Sequence, residues 1–265
     1  VLTLVEYKKI LTMTVHSRPR YTKTVLEALS QCYGVENYRL MVSTDKDVNP
    51  EVLELVKQID FCESEVLVYP QAVDQTKIAL RTLIRAFAAT DYSIYFEDDT
   101  VPARDCLRYF EFCAEVFKPD DAVWSITGYT PKLKGKYDDG RRDDSEVYAL
   151  RKNAWFNPWT WATWKNRWEH MRNTWGKHPF SWDLVLNKER EILNKVEISP
   201  LLARTENIGA EGGRNCPGPE WHLKHQWNRN NFAGNGHYQL KDNPKFYLLE
   251  GPFSDTLKTS NSRSE

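Results

Sequence analysis

The sequence predicts an α/β fold, a mixed and mainly parallel sheet flanked by helices, followed by a loop-rich C-terminal segment. Strand and helix patterns alternate from Ile10 to Thr127, as a sheet with crossover helices requires. One of these strands, Tyr92 to Phe96, runs directly into Glu97, Asp98 and Asp99. After Ile208 the chain is punctuated by Gly209, Gly212, Gly213, Gly218, Gly234 and Gly236, and its last residues, Thr256 to Glu265, are polar.

Ile10 to Val15 reads as the first strand, closed by the turn-prone His16-Ser17-Arg18-Pro19, and Val25, Leu29 and Cys32 then recur at helical spacing. Tyr38 to Ser43 is a second strand ending at Thr44-Asp45, Pro50 to Ile59 a short helix, and Val66 to Tyr69 a third strand. The clearest helix covers Thr76 to Ala89, with Leu80, Leu83, Ile84 and Phe87 on one face and Lys77, Arg81 and Arg85 elsewhere. It leads into the acidic strand, after which Leu107, Phe110, Ala114 and Phe117 repeat at helical spacing and Ala122 to Thr127 returns to the sheet. Beyond Gly128 the rhythm changes. Lys132 to Glu146 is a mixed-charge stretch read as an exposed hairpin or loop with solvated acidic pairs, and Tyr148 to Phe156 rejoins the sheet. Trp159 to Met171 and Trp182 to Leu193 read as helices.

At 265 residues and 41% apolar content, the chain is long enough to bury a sizeable core. Its 36 basic and 37 acidic residues leave a formal charge of −1, so no global positive field draws it to nucleic acid or anionic lipid. No apolar run approaches the roughly 20 residues of a membrane span. Val1 to Ile10 lacks the layout of a signal peptide, although a trimmed targeting segment or anchor is compatible with a first residue other than Met. Cys32, Cys62, Cys106, Cys113 and Cys216 include no Cys-x-x-Cys pair, which argues against a disulfide framework or structural zinc and for a reducing, cytoplasmic setting.

A strand such as Tyr92 to Phe96 can be buried, but three adjacent carboxylates cannot be buried unpaired. The sheet therefore ends there in solvent or at a cation. In an α/β sheet the carboxyl ends of strands are where ligands bind. Three consecutive acids arise about once by chance in a chain this acidic, so the position at a strand end carries the information.

Further segments follow in order: Trp159-Thr160-Trp161-Ala162-Thr163-Trp164, the unit Trp182-Asp183, and Pro200 to Gly209, which reads Pro-Leu-Leu-Ala-Arg-Thr-Glu-Asn-Ile-Gly. Together with His16-Ser17-Arg18-Pro19, Asp45 and the Asp-x-Asp-like Glu97-Asp98-Asp99, this set resembles the GT-A class of nucleotide-sugar glycosyltransferases over most of residues 8–215. Within that class it looks most like N-acetylglucosaminyltransferase I and its bacterial and viral relatives. The resemblance implies a single GT-A (Rossmann-like) domain over residues 1–255, with a nucleotide-sugar-binding half (1–128), an acceptor-side half (129–255) and a polar tail (256–265). It implies inverting, metal-dependent transfer from a nucleotide-sugar donor, a UDP-sugar, to a hydroxyl acceptor on a glycan, with Mn²⁺ or Mg²⁺ as cofactor. By the same resemblance Asp99 ligates the metal, Asp98 faces the ribose or a metal-bound water, and Glu97 supports them. His16 and Arg18 contact the nucleotide, and Asp45 the base or ribose. The family's uridine-contacting histidine has no match, and Lys77 or Arg81 is offered in its place; the family's Gly between two Trp residues is Thr160 here.

Transfer from such a donor builds positive charge at the anomeric carbon and negative charge on the departing diphosphate, and a hard divalent ion with oxygen ligands meets the second demand. In a plainer reading the acids flank a helix start near Pro102 and complement its dipole. Inversion also needs a general base, for which Asp183 is the candidate, with Glu211 and Glu220 in reserve; alternatively Asp183 caps the helix that begins at Trp182. Ser17 and Arg18 either touch nucleotide or only shape the turn before Pro19. The loop Asn207 to Arg214 either closes over the diphosphate, with Arg214 screening the leaving group, or caps the core. Trp155, Trp159, Trp161, Trp164 and Trp182 offer flat faces to a sugar or fill the core. His222, His225 and His237 lack strict ligand spacing and read as surface or hydrogen-bonding residues. Three rival functions would draw on the same residues. One is transfer to hydroxymethylated bases of viral DNA, a DNA acceptor that the near-neutral charge does not favour. The second is a sugar-phosphate nucleotidyltransferase, whose usual Gly-rich loop is missing from His16 to Arg20. The third is a non-catalytic carbohydrate-binding module.

Overall fold

The computed structural model describes residues 9–130, 146–175, 177, 182–212, 216, 218–220, 222 and 241–249. The first half follows the predicted alternation, with β1 (Lys9–Thr14), α1 (Pro19–Ser30), β2 (Tyr38–Asp45), α2 (Pro50–Lys57), β3 (Glu63–Tyr69), α3 (Gln75–Ala89) and β4 (Tyr92–Glu97). Local chemistry sets these boundaries. Pro19 and Pro50 occupy the first turns of α1 and α2, where a missing N–H costs nothing. Asn49 and Asp74 cap α2 and α3, accepting from the Glu51 and Thr76 amides at 2.8 and 2.9 Å. The buried face of α3 is Ile78, Ala79, Thr82, Leu83, Ala86 and Phe87, rotated from the expected one so that Ile84 is exposed.

After β4 the chain forms β5 (Thr100–Pro102), α4 (Cys106–Phe117), β6 (Val123–Thr127), β7 (Ala149–Asn153), β8 (Trp161–Trp164), α5 (Lys165–Thr174), α6 (Trp182–Ile192), β9 (Val196–Pro200), β10 (Thr205–Asn207) and β11 (Tyr247–Leu248). Among the described residues, nine strands form one sheet in the order β11-β7-β9-β6-β8-β4-β1-β2-β3, while β5 and β10 pair as a separate antiparallel ribbon. The run β4-β1-β2-β3 is parallel throughout, which brings the carboxyl ends of β1, β2 and β4 to one edge. Thr14 pairs with both Ser43 and Glu97 there. Apolar side chains from α1, α2 and α4 fill one face of the sheet, and those from α3, α5 and α6 the other. Among the described residues no helix is long and apolar enough to cross a membrane. All five cysteines are free, three of them buried.

One expected element is wrong in type. The helix predicted over Trp159 to Met171 begins as strand β8, inserted antiparallel between β4 and β6, with Ala162 opposite both Ile94 and Ile126; the helix starts only at Lys165. A strand buried on both faces reads as an unbroken apolar run, which periodicity alone does not separate from a helix. Their three-residue spacing sends Trp161 and Trp164 to opposite faces of the sheet, one among Tyr95, Phe156, Trp175 and Trp182, the other against Tyr92 with its indole N–H on the Ala114 carbonyl. The turn into β8 is made at Thr160, whose φ of 55° is left-handed. A β-branched residue pays about 1–3 kcal/mol there. Thr160 is fully buried and donates its hydroxyl to Thr100 Oγ1 at 2.8 Å, while its carbonyl accepts the Gly128 amide at 2.8 Å. These bonds hold the strained turn at the position where the resembled family has Gly.

The ribbon is held by a buried ion pair. Arg204 and Asp105 are both fully buried, with Arg204 Nε 2.9 and 3.0 Å from the two carboxylate oxygens. The remaining guanidinium nitrogens donate to the Leu202 and Val147 carbonyls at 2.6 and 2.7 Å, and the group stacks on Tyr148 and Phe246. This fixes the start of β10 against the start of α4.

Candidate active site

The cleft lies at the carboxyl ends of β1 and β4 and encloses about 540 Å³. Glu97 ends β4; Asp98 and Asp99 form the turn into β5, 6% and 7% exposed. They do not flank a helix start, because α4 begins only at Cys106. Arg18, the residue before α1, places Nη2 on Asp98 Oδ1 and Nη1 2.8 Å from Asp99 Oδ2. From the other side the ribbon pairing of Asn207 with Thr100 brings Asn207 Nδ2 to Asp99 Oδ1 at 3.2 Å. The Ile208 amide donates to the Asp99 carbonyl at 2.8 Å, and the Gly209 amide to Asn207 Oδ1 at 2.9 Å.

Three carboxylates against one guanidinium leave the turn with an excess of negative charge. Burial, with Asp99 and Asp98 adding repulsion, pushes the Glu97 carboxyl well above the usual carboxylate range. Burial and Asp99 push Asp98 up to about 6 even though Arg18 pulls it back. Burial lowers the Arg18 pKa, but the two aspartates outweigh it and raise it, so the guanidinium stays charged. Asp183, the second residue of α6, lines the same cleft and adds to the repulsion on Glu97.

His16 and Arg18 line the cleft as expected. Asp45 is 2% exposed and does not line it: its oxygens accept the Asp47 and Val73 amides at 3.0 and 2.8 Å and stand 3.4 Å from His16 Nε2. It anchors the loop into α3 and orients His16. Lys77 and Arg81 are also outside the cleft. The helical phase of α3 turns Gln75, Thr76 and Ala79 inward and leaves both cations on the solvent side, Arg81 over the Tyr69 ring at 5.0 Å.

Among the tryptophans, Trp161 and Trp164 are core residues, 0% and 2% exposed, because β8 is a central strand. Trp155 is exposed outside the cleft. Trp159, edge-on to Tyr129, and Trp182, stacked on Trp175 at 4.2 Å, are the ones that face the cleft. Glu211 is exposed and off the cleft, its amide donating to Tyr21 Oη, and Glu220 is exposed too; Gly209 and Gly212 line the wall instead. Arg214, His225, His237 and the acidic pairs between 132 and 145 lie outside the described residues. His222, read as a surface or hydrogen-bonding residue, is 8% exposed and lines the cleft together with Cys216 and Asn207. The stretch ending at Gly209 contained the signal for Asn207, and His222 offered only its residue type; nothing local marked Cys216.

Residues 2–78 match the family described as N-acetylglucosaminyltransferase II (MGAT2). No curated protein matches the chain. The matched segment carries β1 through the start of α3, and so His16, Arg18 and Asp45, and it is similar to a glycosyltransferase family. The acidic turn, Asp183 and the ribbon fall beyond it.

Gly209 is required by close approach. A Cβ there would overlap the Asp99 carboxylate and stand 3.2 Å from Arg18 Nη1. Gly209→Ala is expected to lower stability by about 1–3 kcal/mol, the usual cost of overpacking, measured as a shifted urea midpoint. An unchanged midpoint would mean that the ribbon yields freely and does not position Asp99.

Proposed function

We propose that this protein is a metal-dependent inverting glycosyltransferase that moves a sugar from a nucleotide-sugar donor, a UDP-sugar, to a hydroxyl of a glycan acceptor. The observation that carries the reading is the convergence of the Asp98-Asp99 turn and Asp183 on one cleft whose β1 side belongs to the segment similar to a glycosyltransferase family. The donor set suits Mn²⁺ or Mg²⁺. Asp98 and Asp99 supply hard oxygens in a turn with surplus negative charge, and among the described residues no three metal-binding side chains form a ready-made cage. Two carboxylates completed by donor phosphate oxygens and water are the usual arrangement for Mg²⁺. Asp99, with Asp98, would hold the ion, which when bound supplies charge neutralisation for the departing diphosphate. Arg18 carries a permanent positive charge to the same region. Asp183 takes the proton of the acceptor hydroxyl as the new glycosidic bond forms and the bond to the diphosphate breaks. Trp159 and Trp182 present flat faces to sugar rings.

The test is a thermal-shift screen of nucleotide sugars with and without Mn²⁺, followed by product analysis. One donor class with Mn²⁺ is expected to raise the melting temperature and to release a nucleoside diphosphate; release of pyrophosphate, or no stabilisation by any donor, overturns the reading. The pH dependence has a definite sign. The folded-state value of about 6 for Asp98 exceeds the ordinary 3.8, so the folded chain binds more protons than the unfolded one between these values. Without metal, this site therefore adds stability as pH falls through that window. The stabilisation by Mn²⁺ and donor, which needs the carboxylates ionised, is expected to fade over the same window.

A further inference from the structure

Both oxygens of Asp99 are engaged, Oδ2 by Arg18 and Oδ1 by Asn207, and Arg18 also holds Asp98. Each oxygen keeps a second lone pair, so a cation arriving at Asp99 need not displace Asn207, but it meets the positive charge of Arg18 on both acids. Asn207 is 6% exposed, fixed by the ladder to Thr100, and its own Oδ1 is occupied by the Gly209 amide. Arg18 is the more accessible of the two: its side chain is 19% exposed, and its guanidinium also lies 5.4 Å over the Tyr21 ring. A guanidinium and a divalent ion held on the same two carboxylates repel each other, so the two compete for them. Leaving is costly for Arg18 unless it meets a new anionic partner, since a partly buried charge stripped of its carboxylates is destabilising.

From this geometry we infer that Arg18 is an exchangeable internal cation: it occupies the metal seat on Asp98 and Asp99 until a nucleoside diphosphate arrives, then passes to the phosphates as the metal takes the carboxylates. The inference rests on the metal and nucleotide reading above and adds a rule of binding order to it. Metal alone binds weakly because it must expel Arg18 into the cleft. Diphosphate alone binds weakly because Arg18 is committed to the acids. The two together restore every pairing, so each strengthens the other, and the coupling is reciprocal.

Metal bridging to phosphate would by itself give some synergy, so the decisive measurement is metal binding in the absence of nucleotide. Mn²⁺ alone, and UDP with Mn²⁺, are titrated calorimetrically into the wild type, Arg18→Met and Arg18→Lys, with a melting curve for each protein. Removing the competitor is expected to tighten Mn²⁺ alone by about tenfold in Arg18→Met and to reduce the gain that UDP gives to Mn²⁺. Arg18→Lys, which keeps the charge but not the two-pronged bridge, is expected to bind Mn²⁺ alone more tightly than wild type while still responding to UDP; it decides the matter if Arg18→Met does not melt cooperatively. If the variants bind Mn²⁺ alone no more tightly than wild type, the exchange is wrong and the metal reading stands. If Mn²⁺ binds none of the proteins even with UDP, both fall.

Discussion

Asp99→Asn is expected to lower turnover by about a thousandfold or more while leaving the metal-free protein as stable as wild type or slightly more so. The two effects diverge for a physical reason. Asparagine keeps the shape of the side chain and an oxygen that accepts from Arg18 or Asn207, so the turn between β4 and β5 retains its frame. It removes one of the negative charges that crowd Glu97 and Asp98, and repulsion from Asp99 contributes to the raised pKa of both. Relief of that repulsion offsets the weaker pairing with Arg18. On the proposed metal-dependent reading the ion would lose a charged ligand, and a thousandfold corresponds to about 4 kcal/mol of transition-state stabilisation. Steady-state rates with the donor identified by thermal shift, together with melting curves with and without Mn²⁺, check both halves. A variant that melts several degrees lower yet turns over normally would make Asp99 a structural partner of Arg18 and nothing more.

Arg204→Met is expected to cost about 3–5 kcal/mol of stability, the range for breaking a buried ion pair from one side. Asp105 would remain fully buried without its cation, and the carbonyls of Leu202 and Val147 would lose their donors. Burial already raises the Asp105 pKa against the pull of Arg204. Without the guanidinium it shifts further up and binds a proton on folding, so the deficit should shrink at low pH. Replacing both partners, Arg204→Met with Asp105→Leu, is expected to recover much of the loss, since an apolar pair leaves no charge stranded. Urea unfolding of the two single variants and the double variant provides the cycle. A loss below about 1 kcal/mol for Arg204→Met would mean that the pair contributes no more than an exposed one.

The consequences of Arg204→Met reach the cleft because β10 hangs from Arg204. The segment from Arg204 to Gly209 is short, and its far end places Asn207 and Gly209 on the Asp99 carboxylate. Stability and site geometry are therefore linked through one buried guanidinium more than a hundred residues away in sequence from Arg18 and the acidic turn's first neighbours on β1.

Local signals placed the first four strands and three helices within a few residues of their observed limits. Prolines at the starts of α1 and α2, capping Asn49 and Asp74, and apolar alternation in the strands all act over a few residues, and a single chain segment displays them in full. The acidic turn was legible for the same reason: Glu97, Asp98 and Asp99 follow a buried strand that three unpaired carboxylates cannot continue. Three other assignments depended on partners distant in sequence. Trp161 became core because β8 slid between β4 and β6, and Asp45 became an anchor because the Val73 amide reached it. Lys77 and Arg81 were turned to solvent by the phase in which α3 packs on the sheet.

The α/β rhythm, the caps and the place where the sheet must meet a cation or water are written in single segments of the chain. Which cation sits on the acids, which tryptophans face the cleft, and that Asn207, Gly209, Cys216 and His222 complete it are settled by the folded arrangement. The first group follows from dihedral preference and periodicity within one segment. The second follows from the pairing of strands and the closing of a ribbon between residues a hundred positions apart, where contact is set by the packing of the whole sheet and no single segment carries its record.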